Sequence, residues 1–228
     1  GPPRRGLLRP GAQVCGPVHD YAPSGSRAYS VAVPTTSAVR VRPALPADVR
    51  AVRALVQPYA EDRILLAKEM VGYYEAVQEF VVAEVPDPDA ADGEDVRRVV
   101  GCGALHVMWD DLAEIRTLAV DPAWRGLRVG HALVVELVER ARALGLRRVF
   151  CLTFEVDFFR AHGFRTIEGT PVSPEVYAEL LRSHDDGVAE FLDLARVKPN
   201  TLGNTRMLLD LDDVDDRGSG ATADAVLS

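Results

Sequence analysis

Hydrophobic and polar positions fall into periodic runs only from about residue 39 onward. Val39-Arg40-Val41-Arg42 alternates as a short strand does, because successive strand side chains point to opposite faces. Pro46 and Asp48 open a helix, and Val49, Val52, Leu55 and Val56 share one of its faces at a 3.6-residue period. The spacing predicts a second helical stretch over 64–77. Residues 80–84 read as a strand, 86–94 as an acidic, proline-bearing turn, and 99–107 as the antiparallel partner of 80–84. Residues 114–120 form the next strand, stopped by Asp121-Pro122. A loop with Arg125, Gly126 and Gly130 leads into a long helix on which Leu133, Leu137, Ala141 and Leu144 line one face. Gly145 is placed as its left-handed cap, with Leu146 as the hydrophobic contact that follows. Residues 148–153 are an apolar strand, a short helix leads to Gly163-Phe164, and Ser173-Pro174 reads as an N-cap with proline at the first helical position. The order β-α-α-β-β-β-α-β-α is an α+β pattern around one mixed sheet, and 114–153 should form a right-handed parallel crossover.

Composition narrows this picture. The chain has 228 residues, 47% of them hydrophobic, which suits one domain with extensions. Residues 1–37 are rich in Gly, Pro, Ser and Arg without periodicity and are expected to be a disordered extension. The expected domain covers 38–211, and 212–228 an acidic disordered tail. The net charge of −8 gives no sign of nucleic-acid binding, and part of it lies in Asp210, Asp212, Asp213, Asp215, Asp216 and Asp224. No apolar run reaches ~18 residues, so no membrane-spanning helix is expected. Arg4, Arg5 and Arg9 are not followed by the apolar segment of a secretory signal. Cys15, Cys102 and Cys151 are odd in number and form no CxxC pair. This argues against a disulfide framework or a zinc site and fits reduced thiols in a cytoplasmic protein.

The segment that carries chemistry is Val120-Asp-Pro-Ala-Trp-Arg125-Gly126-Leu127-Arg128-Val129-Gly130-His131. The free N–H groups at a helix N-terminus suit a diphosphate, because the dipole and the unpaired donors both favour negative charge. Arg125 and Arg128 add positive charge. By itself such a loop leaves an ordinary strand-to-helix turn open.

Arg125-x-x-Arg128-x-Gly130 resembles the R/Q-x-x-G-x-G/A pyrophosphate loop of the GNAT superfamily of acetyltransferases, and Phe158-Phe159-Arg-Ala-His-Gly163-Phe164 is similar to the segment that closes their acetyl-CoA site. Arg128 departs from the pattern, standing where the middle glycine is expected. Ile64-Leu65-Leu66-Ala67-Lys68, Tyr74-Glu75-Ala76-Val77-Gln78-Glu79-Phe80, Gly101-Cys-Gly-Ala-Leu-His106, 111–120, Leu152-Thr153-Phe154 and 198–207 further resemble the short, kinase-less N-acetylglutamate synthases of arginine biosynthesis. The resemblance implies a GNAT fold with a central, mostly antiparallel mixed sheet flanked by helices. It also implies acetyl-CoA as co-substrate without a metal, and a small amino acid, L-glutamate or L-glutamine, as acceptor. No nucleic acid or membrane partner is implied, and a homodimer is allowed, since many members dimerise.

The resemblance also assigns roles. Glu114 stands where many members place the carboxylate base, an ordinary surface strand glutamate being the alternative. By alternation Glu114, Arg116, Leu118 and Val120 share a face. Arg116 either pairs with Glu114 or grips a substrate carboxylate. Lys68, Asn204, Thr205 and Arg206, with Thr153, align with acceptor-binding positions, although a solvated Lys68 stays open. Backbone groups of Leu118, Ala119 and Val120 would bond the pantetheine arm. Residues Arg125, Gly126, Leu127, Arg128, Val129, Gly130 and His131 would hold the diphosphate, with helix-start packing the alternative for His131. The N–H of Leu152 would polarise the thioester. Phe158 and Phe159 would pack on the coenzyme, and Phe159 stands where many members carry a tyrosine acid. His106 reads as a satisfied sheet residue, and His162 and His184 as surface positions. Two other readings are an acetyltransferase for a different amine and an acyl-CoA-binding module without turnover.

Overall fold

The computed structural model describes residues 39–66, 68–87, 89–91, 96–194 and 203–212. All of them lie in Pro34–Ser228, one of the two units into which the chain divides. The expectations for 1–37 and for the acidic tail beyond 212 lie outside the described residues.

Seven strands form one mixed sheet: β1 (Arg40–Pro43), β2 (Phe80–Pro86), β3 (Arg97–Val107), β4 (Leu112–Val120), β5 (Arg148–Thr153), β6 (Arg165–Thr166) and β7 (Thr205–Asp210). Their order across the sheet is β1-β2-β3-β4-β5-β7-β6. Every neighbouring pair is antiparallel except β4 and β5, which run parallel, as the crossover through α3 (Val129–Ala143) requires. The parallel ladder is short. It holds Leu112↔Arg148, Ala113↔Val149 and Glu114↔Phe150 and stops there, so the two strands part beyond Glu114.

Helix α3 covers one face of the sheet. Val129, Leu133, Val134, Leu137 and Ala141 are buried there with Val81, Ile115 and Val149. On the other face lie α1 (Val49–Glu61), burying Val49, Val52 and Val56, and α2 (Met70–Glu75), burying Tyr73. The short α4 (Val156–Arg160) follows β5, and a third cluster joins Leu112, Phe150 and Leu208 to α5 (Pro174–Leu180) and α6 (Asp186–Phe191). Each fully buried Val or Leu contributes about 1.5–3 kcal/mol, so these clusters dominate the driving force.

Four expectations are corrected. The stretch 64–77 is not one helix. The amides of Ile64 and Leu65 bond back to Tyr59 O at 2.8 and 3.2 Å, with Arg63 at φ 58, and this closes α1. Helix resumes only at Met70. Leu144 is 56% exposed, because the helix has ended and Leu146 takes the buried place beyond Gly145. Strand β7 and helix α6 had not been expected. Finally, a bulge interrupts the alternation of β4. Ala104 pairs with Arg116 and Cys102 with Ala119, so Thr117 (φ 57) and Leu118 both stand opposite Gly103. Leu118 and Val120 therefore pack on the α3 side with Ile115, while Ala119 joins the α1 side. They do not share the face of Glu114. Gly103 permits this, since a Cβ there would stand 3.0 Å from both Leu118 Cδ1 and Leu137 Cδ1.

Candidate active site

The loop before α3 keeps the shape that its expected glycine would allow. Arg128 is the N-cap of the helix at φ 62, ψ 14, a left-handed conformation that costs a non-glycine residue about 1 kcal/mol. The departure from the family pattern therefore leaves the backbone path intact. Gly126 is left-handed too (φ 77). Gly130 lies under Phe158, where an added Cβ would meet the ring at 3.4 Å. Arg125 donates to the Tyr59 hydroxyl at 2.9 Å, and that hydroxyl donates to the Val120 carbonyl at 2.6 Å, so the loop is tied to α1 and to the end of β4. The α3 N-terminus, two exposed guanidinium groups and the side-chain-free Gly126 and Gly130 fit a diphosphate.

His131, on the first turn of α3, is not isolated. Its Nδ1 lies 2.9 Å from His162 Nε2, and His162 Nδ1 donates to Phe158 O at 2.8 Å. His162 is thus no ordinary surface position. Burial and the Arg128 charge lower the pKa of His131. Phe159 is 4% exposed and packs edge-on against Phe158 and Phe164, within the core.

Where β4 leaves β5, a hollow opens between Ile64, Leu65, Lys68, Glu114, Arg116, Leu152, Gly187, Glu190 and Asn204. Sequence reasoning named Lys68, Glu114, Arg116, Leu152 and Asn204, and the structure brings these together. Glu114 is 3% exposed, and its Oε2 has no hydrogen-bond partner among the described residues. Burial raises its pKa against the opposing pull of Arg116, His106 and Lys68. Asn204 Oδ1 is likewise buried and unpartnered among the described residues. Lys68 lies in the loop after α1, with no hydrogen bond or ion pair among the described residues, and burial first, then Arg116, lowers its pKa.

Arg116 does not make a close pair with Glu114, whose Oε2 lies 4.0 Å from Nη1. It donates from Nη1 to Asp185 Oδ1 at 2.7 Å and from Nη2 to Glu79 Oε2 at 2.9 Å. Glu79 Oε1 meets His106 Nδ1 at 2.8 Å, which satisfies that histidine as expected. Glu79 was quoted only within a resembling stretch and given no role, and Asp185, Gly187 and Glu190 went unnamed in the sequence. Asp185 carried a legible signal, an aspartate two residues ahead of Gly187-Val188-Ala189, and it does cap α6 by accepting from Val188 N–H at 3.0 Å.

Three expected acceptor residues stand differently. Arg206 donates from Nε to Gly169 O at 2.9 Å, from Nη1 to Glu190 O at 3.3 Å and from Nη2 to Phe191 O, and it stacks on Phe150. Its guanidinium thus fastens the end of α6. The Thr153 hydroxyl accepts from Glu155 N–H at 2.9 Å, and Thr205 is its cross-strand partner. None of these three lines the hollow. A larger hollow, about 370 Å³, lies at the other end of β4 and β5 beside Trp109, Arg147 and Arg148. Arg148 is already held there by Asp111 at 2.8 Å, and no expected site residue reaches it.

A parting pair of parallel strands, a helix start suited to an anion on one face and a buried carboxylate on the other are the features that the sequence resemblance implied. Comparison with known proteins agrees. A family profile described as acetyltransferase (GNAT) family matches residues 58–164. The amino-acid acetyltransferase of Mycobacterium tuberculosis is 60% identical over 169 residues, 74% of this chain and 92% of its own length. A crystal structure from Mycobacterium tuberculosis, in complex with CoA and NLQ, matches with a TM-score of 0.69 at 59% identity, covering 75% of this chain and 98% of that one. The N-acetylglutamate synthase of Neisseria gonorrhoeae, complexed with coenzyme A and N-acetyl-glutamate, shares the fold with a TM-score of 0.56 at 23% identity, over 76% of this chain and 35% of the longer one. The chain belongs to the GNAT family of acetyltransferases.

Proposed function

We propose that this chain acetylates the α-amino group of L-glutamate or L-glutamine, the reaction with which arginine biosynthesis begins. The observation that carries the reading is the buried Glu114, with Oε2 unpartnered among the described residues, at the point where β4 and β5 separate. Lys68 lies across the same hollow. An α-amino acid presents an ammonium and a carboxylate on the same carbon. Glu114 and Asn204 Oδ1 are acceptors suited to the first, and Lys68 is a cation suited to the second.

Attack on the thioester requires a neutral amine. Glu114 takes a proton from the ammonium, and burial, which raises its pKa, makes it a stronger base than a solvent-exposed carboxylate. Acetyl-CoA supplies the activated acyl group and a thiolate leaving group. The loop 125–130 and the start of α3 hold its diphosphate, and the Leu152 N–H, on the strand edge that β4 no longer covers, polarises the carbonyl. Phe159 offers no proton, so the thiolate leaves unaided or takes one from water.

The carboxylates Glu79, Glu114, Asp185 and Glu190 outnumber Lys68 and Arg116 around the hollow, and this supports a second reading, a cationic amine as acceptor. Thiol release from acetyl-CoA with glutamate, glutamine, aspartate, ornithine, lysine and spermidine separates the two. Selective turnover of glutamate or glutamine supports the first reading, and selective turnover of spermidine or lysine replaces it with the second.

A further inference from the structure

Helix α6 turns Gly187 and Glu190 toward the hollow, three residues apart and so on one face. Gly187 brings the helix in close. A Cβ there would stand 2.7 Å from Arg116 Nη1 and 3.2 Å from Glu114 Oε2. One turn further on, Glu190 is 9% exposed and lines the same hollow as Glu114, Lys68, Leu152 and Asn204. Its backbone is fixed from below, where Arg206 donates to the carbonyls of Glu190 and Phe191, and the Thr170 hydroxyl also donates to Phe191 O at 3.4 Å. The fold thus spends an arginine and a glycine on bringing a second carboxylate to the place where Glu114 faces the acceptor.

The charged groups around it come from every neighbouring element. They are Glu114 and Arg116 on β4, Arg206 on β7, Lys68 in the loop after α1, Asp186 on α6 and Asp185 at its cap. Glu79 before β2 and His106 on β3 complete the ring through Arg116. Burial, then Glu114, Asp186 and Asp185, push the Glu190 carboxyl up to about 7.

We propose that Glu190 is a second proton-accepting carboxylate of the acceptor site, sharing with Glu114 the two protons that an ammonium loses in becoming an amide. The inference rests on the reading of this hollow as the amine site. The balance is as follows. The ammonium gives one proton to Glu114. The neutral amine forms the C–N bond, the C–S bond breaks with its electron pair on sulfur, and the nitrogen gives its second proton to Glu190. The thiolate is then protonated from water, and both carboxyls return their protons to solvent. A site with one carboxylate must empty it before the second transfer, whereas two carboxylates serve both.

The test is the pH dependence of kcat/KM for the acceptor, at saturating acetyl-CoA, in the full chain and in Glu190→Gln. The wild type should lose activity on acidification as two carboxylates take up protons, one of them near pH 7. Glu190→Gln should lack the step near pH 7 and lie roughly 10- to 100-fold below the wild type at pH 8. Its acetyl-CoA affinity and cooperative unfolding should be retained. Glu190→Asp, which keeps the ionisation, should restore the step at a shifted midpoint and guards against a glutamine variant that fails to fold. A Glu190→Gln profile parallel to that of the wild type overturns the proposal, because a structural role lowers activity without removing a titration. Absence of any amine turnover by the wild type would instead remove the reading of the hollow on which it rests.

Discussion

Asp185 Oδ1 accepts from Arg116 Nη1 at 2.7 Å and from Val188 N–H at 3.0 Å, so one carboxylate oxygen joins the central strand of the site to the cap of α6. The ion pair is largely shielded, with the Arg116 side chain 9% exposed. Leaving a buried charge wholly unpaired costs about 3–5 kcal/mol, and Arg116 keeps Glu79 as a second partner, so loss of the Asp185 pair costs less. Asp185→Asn keeps the cap but weakens the pair. It should destabilise the fold by a smaller amount and lower kcat more than it raises the acetyl-CoA KM, as steady-state kinetics with each substrate varied in turn will report.

Gly187 is the other half of that junction. Alanine there would press a methyl group against Arg116 and Glu114. Overpacking of this kind costs about 1–3 kcal/mol. Gly187→Ala should reduce kcat/KM for the acceptor at least tenfold while acetyl-CoA binding, centred on the opposite face, holds. Titration calorimetry with CoA beside turnover measurements checks both.

Lys68 should reveal itself as an acceptor anchor. Hydrogen bonds to charged groups are worth about 1.5–3 kcal/mol, so Lys68→Met should raise the acceptor KM by roughly 10- to 100-fold and leave that of acetyl-CoA nearly unchanged. An unaltered acceptor KM would return Lys68 to the solvated role.

Arg128 separates backbone from charge. Arg128→Gly removes the left-handed penalty while loosening the unfolded chain, so stability should stay within about 1 kcal/mol. Coenzyme binding should weaken by several-fold and become less sensitive to salt. Arg128→Val should be destabilised in thermal unfolding, since a β-branched residue fits φ 62 poorly.

The raised Glu190 pKa is also a statement about stability. The folded form holds its proton up to about 7 while the unfolded carboxyl releases it near 4.5. The unfolded state therefore binds fewer protons between these values, and this carboxyl lowers stability as pH rises through that window. Glu190→Gln should flatten that part of the dependence and raise Tm at pH 7.5. Urea midpoints between pH 4.5 and 7.5 give the comparison.

Much of the scaffold was legible because it is written locally. The apolar runs at 80–84 and 148–153, the α1 face of Val49, Val52 and Val56, and the Gly145 cap each follow from spacing within a few residues. The apolar segment Ile64-Leu65-Leu66 misled, because its amides close α1 and its side chains face the hollow. The bulge at Thr117 had no marker, since threonine is at home in an unbroken strand. What permits it stands opposite, at Gly103 on another strand. Within the site, Glu114 and Lys68 were legible through resemblance, but Glu79, Asp185 and Glu190 enter through contacts 37, 69 and more residues away in sequence. Arg206 was named through resemblance to acceptor-binding positions, and only the fold shows that its guanidinium is engaged by carbonyls of α6.

The central claim is that the amine is activated by Glu114 where β4 and β5 part. Its most direct measurement is turnover by Glu114→Gln with glutamate and glutamine at pH 8, beside the CoA affinity of the same variant. The account predicts a fall in kcat of roughly 100-fold or more, with CoA affinity and unfolding cooperativity close to those of the wild type. A Glu114→Gln enzyme that turns over at the wild-type rate would contradict it.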